Sequence, residues 1–193
     1  MGSPVRARPS APQQMIIFFA GLIGTGKTSL AKAIARDLGF FYYDVDAVKK
    51  EIYPTDSNFE YNIKNNIPFS DDTRMKVFER VILDLKSIYV LHKNIIVDET
   101  LHKKSLRNFL FEGVGEYVDK ILLVWIKADE NVVKERLEKD KREGHILKDS
   151  FGMYLSLKKE FDQLDEADII FENKFEFDES LNKLRKLLLE KVK

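Results

Sequence analysis

The stretch GLIGTGKT, residues 21–28, restricts what this chain can fold into more tightly than any other part of it. It follows the pattern G-x-x-x-x-G-K-[ST] and sits between an apolar run, IIFFA, and a helical pattern, SLAKAIARDL. Such a loop works only where a strand delivers the chain and a helix carries it away. Its glycines let the backbone close around a phosphate, while successive N–H groups and the helix N-terminus supply positive potential. Gly21, Leu22, Ile23, Gly24, Thr25, Gly26 and Ser29 form this nucleotide cradle together with Lys27 and Thr28. Lys27 is expected to reach the outer phosphates, and the Thr28 hydroxyl can hold Mg²⁺.

Short apolar runs at 15–20, 40–43, 94–97, 121–126 and 168–171 are expected to be buried strands. Helical patterns fall between and after them, at 27–38, 46–53, 71–92, 103–118, 130–141, 151–163 and 179–192. The alternation implies right-handed crossovers, hence an α/β fold with a parallel sheet of about five strands covered on both faces. In such a sheet ligands bind beyond the carboxyl ends of the strands. Two stretches look irregular: 54–70, with four asparagines, and 141–150, charged and containing Gly144. Loops of that length in a compact domain are often functional flaps, and 141–150 is expected to be a mobile lid. Residues 1–14, rich in Pro, Ser, Ala and Arg, are expected to be a disordered leader or remnant before a single domain over 15–193.

Composition removes several alternatives. Lysine plus arginine (32) balance aspartate plus glutamate (32), so no whole-chain field favours nucleic acid or an anionic membrane. With no cysteine and three scattered histidines, neither a disulfide framework nor a thiolate metal site can form. No apolar run approaches the roughly 20 residues that span a bilayer. A cytoplasmic setting is expected, and monomer and homodimer both stay open.

Acidic residues then fall at strand ends. DVD follows FFYY and provides Asp44 and Asp46; IIVDET provides Asp98 and Glu99. One of the first pair can assist Mg²⁺ through water while the other orients or deprotonates an acceptor hydroxyl, and Asp98 falls where a second carboxylate could support the metal. Acids at a helix start can also simply cap it and complement its dipole.

With these motifs the chain resembles the P-loop small-molecule kinases related to shikimate kinase and gluconate kinase, and the wider group of kinases with a similar acidic motif. The resemblance covers most of 15–173 and implies a P-loop NTPase three-layer sandwich acting with ATP and Mg²⁺. GLIGTGKT followed by FYYDVD looks like the start of that family, whose Asp-x-Asp binds magnesium and substrate. That implies Asp44 on the metal and Asp46 on the acceptor. IPFSDDTR (67–74), REGH (142–145) and EFDQLDEAD (160–168) are similar to gluconate kinase segments. By this resemblance Arg74 touches substrate and Arg142 closes on ATP phosphate, tasks that suit a planar guanidinium. AVKKE replaces the Leu-His-Pro of gluconate kinases, however, and DAVKKE (46–51) looks more like a segment of polynucleotide kinases, with Lys49 in place of arginine as an acceptor-site cation.

The expected activity is transfer of the ATP γ-phosphoryl group to a hydroxyl of a small molecule such as a sugar acid, with Lys27, Asp46 and Arg142 as catalytic groups. A polynucleotide 5′-hydroxyl or nucleoside/nucleotide kinase is the alternative, with nucleic acid the less favoured partner. A non-catalytic nucleotide-dependent regulatory module is a third reading, although the guanine-reading Asn-Lys-x-Asp is absent. NKFE (173–176) only approaches it, and DSFG (149–152) lies in the wrong place for a switch motif.

Overall fold

The computed structural model describes residues 14–139, 149–174 and 176–192. Five parallel strands run β1 (Met15–Ala20), β2 (Phe41–Asp44), β3 (Asn94–Glu99), β4 (Lys120–Lys127) and β5 (Ile169–Glu172), in the spatial order β2-β3-β1-β4-β5. Central β1 is buried at every position, which is why its sequence is a continuous apolar run rather than an alternating one. The chain steps from β1 out to β2, returns to β3, and then crosses to β4 on the other side. The connections that leave the adjacent strands β1 and β3 therefore run in opposite directions, and the phosphate loop emerges at that switch point, at the carboxyl end of β1.

Eight described helices accompany the sheet: α1 (Lys27–Leu38), α2 (Val45–Ile52), α3 (Phe59–Asn65), α4 (Asp71–His92), α5 (Lys104–Gly115), α6 (Glu130–Lys139), α7 (Ser150–Lys159) and α8 (Phe177–Lys191). One sheet face packs on α1 and α8 through Leu30, Ile34, Leu184 and Leu188. The other packs on α2, α4 and α5 through Val48, Val81, Leu85 and Leu110. Three layers result, as expected from the alternation. Trp125 belongs to the second core and stacks on Phe161 at 5.6 Å. Among the described residues no helix is long and apolar enough to cross a membrane.

Several boundaries differ from the sequence expectation for identifiable reasons. The stretch 54–70 is not irregular throughout: a 3₁₀ turn at Tyr53–Thr55 leads into α3. Its asparagines are poor helix formers, but buried Ile63 and the stacked rings of Phe59 and Phe69 override propensity. Strand β3 runs two residues further than its apolar core, because Asp98 and Glu99 pair in register with Phe19 and Ala20. Helix α7 stops at Lys159 instead of 163, since Asp162 turns to accept from the Lys104 N–H and caps α5. Of the lid expected at 141–150, residues 141–148 lie outside the described residues, and so do residues 1–13 of the leader expected at 1–14; Asp149 is the N-cap of α7.

Candidate active site

The phosphate loop is built by backbone conformation. Gly26, at φ 88°, is the N-cap of α1, and no side chain caps that end. No acid lies in the first turn either, so the helix presents bare N–H groups and its positive end to the loop. A Cβ on Gly26 would meet Asn173 Nδ2 at 2.5 Å, so both the dihedral and the space demand glycine. Asn173 donates to the Thr25 carbonyl at 2.7 Å, and Arg136 Nη1 donates to the same oxygen at 3.2 Å. The asparagine of NKFE thus anchors the phosphate loop.

A cavity of about 390 Å³ opens from this loop. Of the residues expected from the sequence, Ile23, Gly24, Lys27, Thr28, Asp44, Asp46, Lys49 and Arg74 line it. Gly21, Leu22, Thr25 and Gly26 belong to the loop and Ser29 to the first turn of α1, none of them lining the cavity, and Arg142 lies outside the described residues. Tyr53, stacked on Phe69 at 4.0 Å, also lines the cavity, together with the apolar side chains of Ile63, Met153 and Leu157.

The two acids at the end of β3 face opposite ways, as neighbouring strand residues must. Asp98 is buried on the α1 side, where it accepts from Tyr42 Oη at 3.1 Å. Burial, and then the Asp98 and Asp44 carboxylates, push the Tyr42 phenol well up, so it stays protonated as a donor. Glu99 is buried on the other side, with Oε2 at 2.5 Å from Lys49 Nζ. Lys49 also reaches Asp46 Oδ1 at 3.1 Å. Burial pulls the Lys49 ammonium toward losing its proton, but Glu99 and Asp46 outweigh it and hold its pKa well above the ordinary lysine value. Asp44 caps α2 by accepting from the Asp46 N–H at 3.0 Å, so the capping role weighed from sequence is real.

Thr28, Asp44 and Asp98 offer only hard oxygen donors, and no group of three or more His, Cys, Asp or Glu that could hold a metal exists among the described residues. Such oxygen donors fit Mg²⁺, which takes few protein ligands and completes its shell with water and phosphate; Thr28 and Asp44 line the cavity, whereas Asp98 is not among its lining residues. The set does not resemble a dedicated protein cage.

Arg74, on α4, lines the cavity and is buried. Its Nε donates to the Phe69 carbonyl at 2.7 Å, and Nη1 to His102 Nδ1 at 3.0 Å. No carboxylate pairs with it among the described residues.

A family profile described as an AAA domain matches residues 17–177. The chain belongs to that AAA domain family. Among curated proteins, this AAA domain is 29% identical over 139 residues to an adenylyl-sulfate kinase of Bacillus pumilus (strain SAFR-032), covering 68% of the chain and 64% of the relative. It is 26% identical over 133 residues to a probable gluconokinase of Dictyostelium discoideum, covering 67% of the chain and 62% of the relative. The chain thus spans less than two thirds of each of these relatives. A solved sugar kinase of Janibacter sp. HTCC2649 superposes with a TM-score of 0.70 at 20% identity, covering 92% of this chain and 95% of that one, which shows a shared fold. These relatives are of the kind to which the sequence motifs pointed.

Sequence reasoning about this AAA domain named Glu99 and Asn173 without their partners and missed Arg136 and His102. Arg136 and Asn173 act on a backbone carbonyl far away in sequence, and His102 meets Arg74 across 28 positions. Glu99 alone had a local signal, since the residue after a strand-end acid must face the opposite layer.

Proposed function

We propose that the chain is an ATP- and Mg²⁺-dependent kinase that transfers the γ-phosphoryl group to a hydroxyl of a small anionic acceptor such as a sugar acid. One observation carries this reading: a single cavity joins the phosphate loop to a buried arginine that has no carboxylate partner among the described residues. A buried, unpaired cation is costly, and a site built around one is complementary to an anion. The cavity's volume suits a small molecule.

Lys27 and the bare end of α1 hold the nucleotide phosphates, and Arg142 is assigned to them from its place in REGH. Thr28, Asp44 and Asp98 would hold Mg²⁺, which would supply positive charge to offset that of the phosphates. Arg74 binds the acceptor's anionic group and directs its hydroxyl toward Asp46. As the acceptor oxygen bonds to the γ-phosphorus, the bond to the β,γ-bridging oxygen breaks and ADP leaves. Asp46 takes the hydroxyl proton, and Lys49 keeps that carboxylate placed.

The test is an ATP-turnover screen with sugar acids, their neutral sugar counterparts, shikimate-like acids, nucleosides and 5′-hydroxyl oligonucleotides, with Lys27→Ala as control. Lys27-dependent turnover confined to anionic small molecules is expected. Turnover with oligonucleotides or neutral sugars only would overturn the acceptor reading, and nucleotide binding with no stimulated turnover would overturn the kinase reading.

A further inference from the structure

We infer that His102 is a positioning residue for the acceptor site: it orients Arg74 as an uncharged hydrogen-bond acceptor at Nδ1, so that the guanidinium is fixed without being discharged. The inference rests on the assignment of Arg74 to an anionic acceptor. A guanidinium has N–H donors and no acceptor, so the 3.0 Å contact between Arg74 Nη1 and His102 Nδ1 forces Nδ1 to accept. The ring proton must then sit on Nε2. Nothing among the described residues accepts from Nε2, so the tautomer is set from the Arg74 side. The Phe69 carbonyl fixes the guanidinium at Nε, 2.7 Å away, leaving Nη2 with no protein acceptor among the described residues.

The ring's surroundings reinforce its neutrality. His102 is 2% exposed. Burial first, and then the charges of Arg74 on α4, Lys103 just before α5, Lys49 on α2 and Arg107 on α5, hold its pKa down to about 2. All four charges are positive, so each opposes an imidazolium. A carboxylate at position 102 could orient Arg74 equally well, but it would form a buried ion pair and cancel the charge that an anionic acceptor needs. Histidine with Nδ1 unprotonated gives the geometry without the neutralisation. A neutral asparagine, whose Oδ1 can stand near the place of Nδ1, should do the same.

Two measurements test this. In the ¹⁵N-histidine spectrum of the full chain, which has three histidines, one ring should show the neutral Nε2–H pattern unchanged from pH 8 to pH 5, and its signals should vanish in His102→Asn. Three rings that all become imidazolium by pH 5, or a His102 ring protonated at Nδ1, would overturn the inference whatever the acceptor is. In kinetics with an acceptor from the turnover screen, His102→Asp should raise the acceptor KM about tenfold or more, as loss of a charged hydrogen bond does, with the ATP KM unchanged. His102→Asn should stay within about threefold, rescuing the loss. If Arg74→Met raises the acceptor KM and His102→Asp does not, the inference fails and the acceptor reading stands. If Arg74→Met leaves it unchanged, the acceptor reading fails and takes the inference with it. Should His102→Asp not fold, the wild-type spectrum and His102→Asn decide.

Discussion

Lys49 is held by two carboxylates as firmly as it holds them. Its contact with Glu99 is buried and its contact with Asp46 is exposed, so removing the ammonium harms the two sides differently. Lys49→Met leaves the Glu99 charge inside the protein without a partner, and a loss of about 3 kcal/mol is expected in urea unfolding. Lys49→Met combined with Glu99→Gln should recover most of that loss, because the uncompensated charge is gone; equal losses in the single and double variants would contradict the pairing. Asp46 is 69% exposed, so Asp46→Asn should hardly affect stability. If Asp46 takes the acceptor proton, that variant loses turnover by about a hundredfold or more while nucleotide affinity, read by calorimetry, stays within about threefold. Near-normal turnover would remove Asp46 from the base role.

At the scale of elements, the phosphate loop depends on side chains that reach it from the far half of the chain. Asn173, just beyond β5, and Arg136, on α6, converge on the Thr25 carbonyl. Asn173→Ala should cost about 1 kcal/mol of stability, as one buried hydrogen bond does, and should weaken nucleotide binding measurably because the loop loses its nearer anchor. Unchanged nucleotide affinity would show that Arg136 suffices. A fully buried arginine ties another pair of elements. Arg107 on α5 donates to Glu166 and to the carbonyls of Leu101, Asp162 and Gln163, welding the segment after α7 to the turn after β3. Arg107→Met strands those acceptors, and a loss of about 3 kcal/mol is expected in urea unfolding. Local signals made the sheet order's ingredients, the phosphate loop and the strand-end acids legible in the sequence. The clamps were not, because Arg107 in KKSLRNF reads as an ordinary polar helix position until 162–166 folds over it. Helix α3 escaped for the opposite reason: its local signals argued against the helix that packing imposes.

For the molecule as a whole, these buried groups make folding sensitive to acid. The sign follows from His102: its pKa is about 2 in the folded chain against 6.5 in an unconstrained one, so the unfolded state binds a proton that the folded state refuses. Stability from this group is therefore full well above pH 6.5 and falls as the pH drops below it. The loss amounts to about 2 kcal/mol between pH 8 and pH 5, at roughly 1.4 kcal/mol per pH unit in the steep part. Glu166 acts with the same sign but lower, since its backbone hydrogen bond and Arg107 outweigh burial and hold its carboxyl below the usual value of 4.5. Above pH 5 the two are separable, because only His102 is changing its balance there. Urea midpoints of the wild-type chain should fall from pH 8 to pH 5, while those of His102→Asn, which has no proton to refuse, should stay nearly level. Parallel curves would mean that the ring takes up a proton in the folded chain, and then Arg74 could not be donating to it.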